Sequence, residues 1–186
     1  MSNVDLRNYD NSWFETASKV KILAWIFISA IFFRTSIPYP SAFKRIILRS
    51  FGAKIGSQVV IKPNVTIKYP WLLDIGDNSW LGENVWIDNL VMVSIGKNCC
   101  ISQGGMLLTG NHNFKKTNFD LIVRPININD GAWVGAKAIV CPGVKMGVDS
   151  MLCVGSVASK DLNSNVIYQG NPAVEIKKRF VECKKH

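Results

Sequence analysis

The chain has 186 residues, 22 basic and 13 acidic side chains, five cysteines and a net charge of +9. That length suits one domain with appendages, long enough to bury a core. Apart from Lys177, Lys178 and Arg179 and the terminal Lys184–Lys185 pair, the basic residues are dispersed and carry no nucleic-acid signature. The excess charge therefore points to a phosphorylated cofactor or an anionic membrane surface rather than to nucleic acid.

Residues 1–54 form an N-terminal segment. Twelve residues from Ile22 to Phe33 are apolar but for Ser29, with Lys19, Lys21 and Arg34 as flanks. A helix needs about 20 apolar residues to span a bilayer, so this run is too short. Asp5, Asp10 and Glu15 ahead of it, and no clear cleavage site after it, argue against a signal peptide. Three roles stay open: a hydrophobic cap on the body of the protein, a subunit contact, or an interfacial position anchored by Trp25 and the basic flanks. After Pro38 and Pro40, the stretch Ser41 to Gly52 predicts an amphipathic helix, with Ser41 as N-cap, Phe43, Ile46, Ile47 and Phe51 on the covering side, and Gly52 as terminator.

From Ile55 the chain settles into a six-residue rhythm. An aliphatic residue recurs at Ile55, Ile61 and Ile67, at Ile75, Leu81 and Ile87, and at Ile95, Ile101 and Leu107. It resumes at Ile128, Val134, Val140, Met146, Leu152 and Ala158, and a small residue four positions after each aliphatic holds a second inward register, broken only at Trp71, Asn111 and Leu162. Such a period fits neither an amphipathic helix nor a simple strand alternation. It predicts an all-β solenoid over residues 55–172, in which each flat side sends one aliphatic residue inward and glycine supplies the backbone angles of the corners.

The rhythm breaks once, across the loop 108–127, which contains His112, one of two histidines in the chain. A solenoid expels an insertion sideways without disturbing its stack, and loops on repeat scaffolds often carry function. An imidazole titrates near neutrality and can take the proton of an attacking hydroxyl. Cys99, Cys100, Cys141, Cys153 and Cys183 follow no metal-ligand spacing. Read as reduced thiols, and with no signal-peptide pattern, they point to the cytoplasm, with peripheral contact at the inner face of the membrane left open. Residues 173–186, charged and with Ile176 and Phe180 at helical spacing, predict a short C-terminal helix.

The runs Trp86–Leu90, Ile95–Gly104, Leu107–Asn113 and Ile128–Gly135 resemble the hexapeptide-repeat acetyltransferases, in particular the WcaF-type colanic-acid or exopolysaccharide group. The His-bearing loop followed by Ala132-Trp133-Val134-Gly135 is the diagnostic part, and the likeness extends over nearly the whole chain. It implies a left-handed parallel β-helix, a homotrimer, acetyl-CoA in the groove between adjacent prisms, no metal, and direct transfer to a sugar hydroxyl with His112 as general base. By motif, Trp133, Gly135 and Ala136 correspond to the wall along the thioester and pantetheine arm, Val154, Gly155, Ser156, Ser159 and Lys160 to the turns along the cofactor tail, and Lys177 to a basic residue near its phosphates. The family's Gly-x-Pro-Ala/Cys-Lys/Arg pattern here reads Gly170-Asn-Pro-Ala-Val174, so one cationic phosphate contact is missing. Lys160, Lys177 or Lys178 is the substitute. Asp88, Asn89, Asn111 and Asn113 are the candidate acceptor contacts. A zinc enzyme on this scaffold needs more histidines, which leaves a non-catalytic interaction scaffold as the competing class.

Overall fold

A computed structural model describes residues 4–180. The hexapeptides form a parallel β-solenoid of about six turns. Its three faces are stacks of strands two or three residues long over most of their height. Face one carries Lys54–Ile55, Leu73–Ile75, Val93–Ile95, Ile126–Ile128 and Lys145–Met146; face two begins with Val60–Ile61, Trp80–Leu81, Cys100–Ile101, Trp133–Val134 and Met151–Leu152. Face three carries Thr66–Ile67, Trp86–Asp88, Met106–Leu108, Ile139–Val140 and Val157–Ala158. Both inward registers are buried, so Leu81, Ile101, Val134 and Leu152 stack in one column while Val65, Val85, Ala132 and Ala138 fill the space behind the corners.

The corners divide two tasks that the repeat alone assigns to glycine. The left-handed residue comes three positions after the aliphatic one and is commonly asparagine: Asn64, Asn78, Asn84 and Asn98 have φ of 55°, 60°, 58° and 54°. Asparagine tolerates this region better than other residues with a Cβ, because its short amide bonds locally. The glycine directly after the aliphatic residue serves clearance instead. A Cβ on Gly76 would stand 2.6 Å from the carbonyl carbon of Gly96, and one on Gly135 would stand 2.7 Å from the Leu152 oxygen.

Every strand edge at an end of the stack leaves backbone groups that need partners. Helix α1 (Lys19–Phe32) and helix α2 (Ser41–Ser50) meet that need at the first coil. Trp25 Nε1 donates to Ile67 O, Lys44 Nζ to Lys62 O, Arg45 to Val59 O and Arg49 to Ile55 O, at 2.9, 3.0, 3.0 and 2.6 Å for their shortest contacts. Burial among these groups holds the Lys44 ammonium below the usual lysine range. The expected layout of α2 is corrected in two respects. Pro40 is the N-cap, and Ser41 uses its hydroxyl to accept from Ile61 N. Lys44 and Leu48 face the coil and Ile47 and Phe51 pack partly against the core, while Phe43 and Ile46 face outward, because the open carbonyls need donors as well as apolar cover.

The C-terminal helix expected over residues 173–186 is also corrected. Ala173–Lys178 is a strand, turned back antiparallel on Val166–Gly170, which lies parallel to Met151–Leu152 on face two. The edge of the last strand offers hydrogen bonds that helical spacing at Ile176 and Phe180 does not outweigh. Residues 181–186, the rest of that expected helix, lie outside the described residues.

The corner from face three to face one is the irregular one. Residues 68–72 and 88–92 enlarge it in the first two coils, and the 108–125 insertion leaves from it in the third. Asn89 is fully buried there: Oδ1 accepts from Lys68 N and Tyr69 N at 3.1 and 3.0 Å, and Nδ2 donates to Tyr69 O and Leu72 O at 2.6 and 2.9 Å. The expected acceptor role of Asn89 is therefore corrected to a clasp on the neighbouring coil. Thr109, also buried, clasps the next corner through Leu90 N and Asp88 O, both at 2.8 Å.

Replacing Gly76 with Ala is expected to destabilise the fold by about 1–3 kcal/mol through overpacking, whereas Asn78→Gly stays within about 1 kcal/mol; chemical denaturation checks both. Asn89→Ala should cost about 2–4 kcal/mol by stranding buried backbone groups. A KM change with an unaltered unfolding midpoint would instead make Asn89 a ligand contact.

Candidate active site

The insertion folds as a hairpin, Gly110–His112 against Leu121–Val123, with His112 opposite Leu121 at its tip side. Ile126 is already back in register with Val93, so the repeat resumes two residues before the end of the expected loop. Gly110 permits the exit, since a Cβ there would meet the Leu90 side chain at 2.7 Å. Asn111 and Asn113 serve the hairpin itself in this structure. The Asn111 oxygen accepts from His112 N at 2.8 Å, and the Asn113 oxygen accepts from Lys115 N at 3.2 Å.

His112 is held on three sides. Its Nδ1 lies 2.9 Å from the Phe119 carbonyl oxygen, the Phe119 ring stacks on the imidazole at 4.4 Å and 8°, and Tyr9 approaches edge-on at 5.5 Å. A carbonyl only accepts, so Nδ1 carries the proton in this bond, and in the neutral imidazole the lone pair is then on Nε2. Phe119 reaches that position with φ of 52°, a backbone state that costs a bulky residue about 1–3 kcal/mol and that clusters at functional sites. Asp5 N donates to Thr117 O at 3.0 Å and so ties the N-terminal stretch to the hairpin.

A cleft of about 300 Å³ opens beside His112, walled by Tyr9, Phe14, Tyr69, Asp88 and Leu121. Asp88 is partly exposed in it and paired with Lys68 at 3.0 Å. Tyr9, Phe14, Lys68, Tyr69, Thr109 and Phe119 are contributions that the repeat does not announce. The enlarged corner at 68–72 is the one sequence signal for Tyr69.

The expected cofactor residues separate into groups. Trp133, Gly135 and Ala136 follow one another onto the corner from face two to face three, and Val154 and Gly155 occupy the same corner one coil above, with Gly155 N donating to Ala136 O at 2.9 Å. Trp133 is 38 % exposed and its Nε1 donates to Ser102 Oγ at 2.8 Å. A second cleft of about 310 Å³ lies below it, bounded by Trp80, Cys100, Ser102 and Gln103. Ser156 is corrected: it is buried and its hydroxyl accepts from Gly170 N at 2.9 Å, so it holds the terminal hairpin instead of facing a ligand. Ser159 and Lys160 are exposed on the corner from face three to face one, above the His112 insertion, and Lys177 is exposed on the terminal strand opposite Ile167. In a single chain His112 and Trp133 thus stand at different edges of the prism, with face three between them.

A nucleophilic role for Cys99 or Cys141 finds little support. Burial pushes the Cys99 thiol up to about 11, and it raises that of Cys141 as well. Such thiols carry almost no thiolate at neutral pH. Among the described residues no group of His, Cys, Asp and Glu is placed to hold a metal ion.

No protein-family model matches the chain. It is 37% identical over 166 residues to the colanic acid biosynthesis acetyltransferase WcaF of Escherichia coli K12, covering 89% of this chain and 91% of that one. The galactoside O-acetyltransferase of the same organism is 30% identical over 129 residues, which is 68% of this chain and 64% of that one. Among solved structures, a galactoside acetyltransferase in complex with coenzyme A superposes with a TM-score of 0.77 at 23% identity, over 87% of this chain and 82% of that one. A maltose O-acetyltransferase from Clostridium difficile 630 gives the same TM-score at 24% identity, over 86% and 87%. These likenesses and the solenoid with its one His-bearing hairpin make the chain a member of the WcaF-type hexapeptide-repeat acetyltransferases.

Proposed function

We propose that the protein transfers the acetyl group of acetyl-CoA to a sugar hydroxyl in the biosynthesis of a surface polysaccharide, with His112 as general base. The observation that carries this reading is the Nδ1 bond to Phe119 O, which in the neutral ring leaves Nε2 as the proton acceptor of a histidine that lines the cleft. In the proposed step the acceptor oxygen attacks the thioester carbon while its proton passes to Nε2. The thiolate of coenzyme A then leaves and takes up that proton, so no acyl-enzyme forms. A backbone amide along the groove stabilises the oxyanion as it develops. Asp88, Asn111 and Asn113 are the proposed acceptor contacts, Asp88 from the cleft wall and the two asparagines from the hairpin.

We place acetyl-CoA along the edge formed by Trp133, Gly135, Ala136, Val154 and Gly155, with the exposed Lys160 or Lys177 near its phosphates. Val174 supplies no charge at the position where the family carries one. Because His112 and this edge are apart within one chain, the reading requires a neighbouring copy, and we infer a homotrimer of left-handed prisms in which each site uses two subunits. Two structures on this fold, the galactoside acetyltransferase and a Vibrio cholerae acetyltransferase, are complexes with coenzyme A and acetyl coenzyme A respectively.

Release of coenzyme A in the presence of a sugar acceptor tests the reading. His112→Ala is expected to lower turnover by about 10²- to 10⁴-fold while leaving acetyl-CoA binding intact. Wild-type turnover in that variant would remove the general-base assignment, and failure of the intact protein to bind acetyl-CoA would favour an interaction scaffold.

A further inference from the structure

Helix α1 is turned inside out for a helix facing water. Ser29, the one polar residue between Lys21 and Arg34, points inward with Trp25, and both are buried. The outward side is made of Val20, Leu23, Phe27 and Ile31, of which Leu23 and Phe27 are 65% and 68% exposed. Helix α2 repeats the inversion, since Lys44 is buried and Ile46 is 63% exposed. At 14 residues α1 is too short to cross a bilayer, and no helix among the described residues is long and apolar enough to do so.

The net charge of the chain falls in the same stretch of sequence, although Lys44, Arg45 and Arg49 are turned into the first coil. Between residues 16 and 73 there are nine basic side chains and no acidic one, and the remaining sequence carries 13 of each sign, so the entire net charge of +9 belongs to the two helices and the first coil. Lys54 and Lys68 are paired with Asp74 and Asp88. Lys19 and Arg34, at the two ends of α1, have no ion pair among the described residues. An apolar helix face with basic residues at its margins is the pattern of a helix lying in the plane of a membrane interface, where the cations meet anionic headgroups.

We propose that the outward face of α1, extended by Ile46 of α2, docks the protein on an anionic phospholipid surface. The alternative occupant, a second copy of the chain, would bring Lys19 and Arg34 of two copies to the contact with no acidic residue between positions 16 and 73 to pair them. Docking has a consequence for the catalytic cleft. The cleft beside His112 shares Lys68, Tyr69 and Asp88 with a neighbouring one lined by Trp25, Ile26 and Arg34 of the helical cap, so a docked protein holds its His112 cleft beside the lipid surface.

The test is co-sedimentation of the full chain with vesicles of phosphatidylcholine alone or mixed with phosphatidylglycerol, at low and high salt, with molar mass followed by light scattering. Binding is expected to the mixed vesicles, to weaken at high salt, and to fall at least about tenfold in Leu23→Glu/Phe27→Glu and in Arg34→Glu, with molar mass unchanged. Two results would overturn the proposal. One is wild-type protein that stays in the supernatant with mixed vesicles at low salt. The other is a drop in molar mass on Leu23→Glu/Phe27→Glu, which would assign the face to a second copy.

Discussion

The structure depends on stacking each coil on the one below at backbone hydrogen-bonding distance. Gly56 N to Ile75 O, Gly76 N to Ile95 O and Gly96 N to Ile128 O are each 2.7 Å, and this spacing repeats up the prism. Where a glycine follows the aliphatic residue, as at Gly56, Gly76, Gly96 and Gly135, the spacing leaves no room for a side chain, and a left-handed residue commonly follows two positions later. It also makes the two ends costly, since a strand edge without partners exposes its polar backbone. Hence the first coil is met by buried Lys44 and the guanidinium groups of Arg45 and Arg49, and the last by a reversed strand. The same constraint admits an insertion only if it leaves sideways.

That lateral exit is what creates a site. The corner between faces three and one has extra chain in successive coils, and buried Asn89 and Thr109 use side-chain polar groups where the stack supplies none. On this base the hairpin holds His112 against Phe119, whose strained backbone aims its carbonyl at Nδ1. The regular corners of the prism, such as Ser57-Gln58 and Asn98-Cys99, hold no histidine, and only this lateral exit presents one among the described residues.

Much of this was legible in the chain. The aliphatic register named the inward column from Ile55 to Ala158, and the three positions that break the small-residue rule, Trp71, Asn111 and Leu162, all follow face three, within the irregular corner, in the hairpin that leaves it, or just past it. The His-bearing interruption stood out for the same reason. Less accessible was anything decided by partners distant in sequence. The helical spacing of Ile176 and Phe180 carries no trace of the open edge at Val166–Gly170, and Asn89 resembles an exposed turn residue until Tyr69 and Leu72 are seen to surround it. Ser156 fails as a ligand contact because Gly170 takes its hydroxyl. Tyr9 and Phe14 reach the cleft only because the N-terminal stretch runs back along the hairpin, more than a hundred residues away in sequence order for Tyr9 and His112.

In the proposed site the base and the acetyl-CoA edge come from different subunits. Co-expression of two inactive chains, His112→Ala and Ala136→Trp, with purification of the mixed oligomer, tests it most directly. Partial recovery of acetyl transfer in the mixed oligomer is the predicted result, because some interfaces then pair an intact His112 with an intact Ala136 edge. No activity above that of the two parents, in oligomers shown by mass to contain both chains, would contradict a shared site.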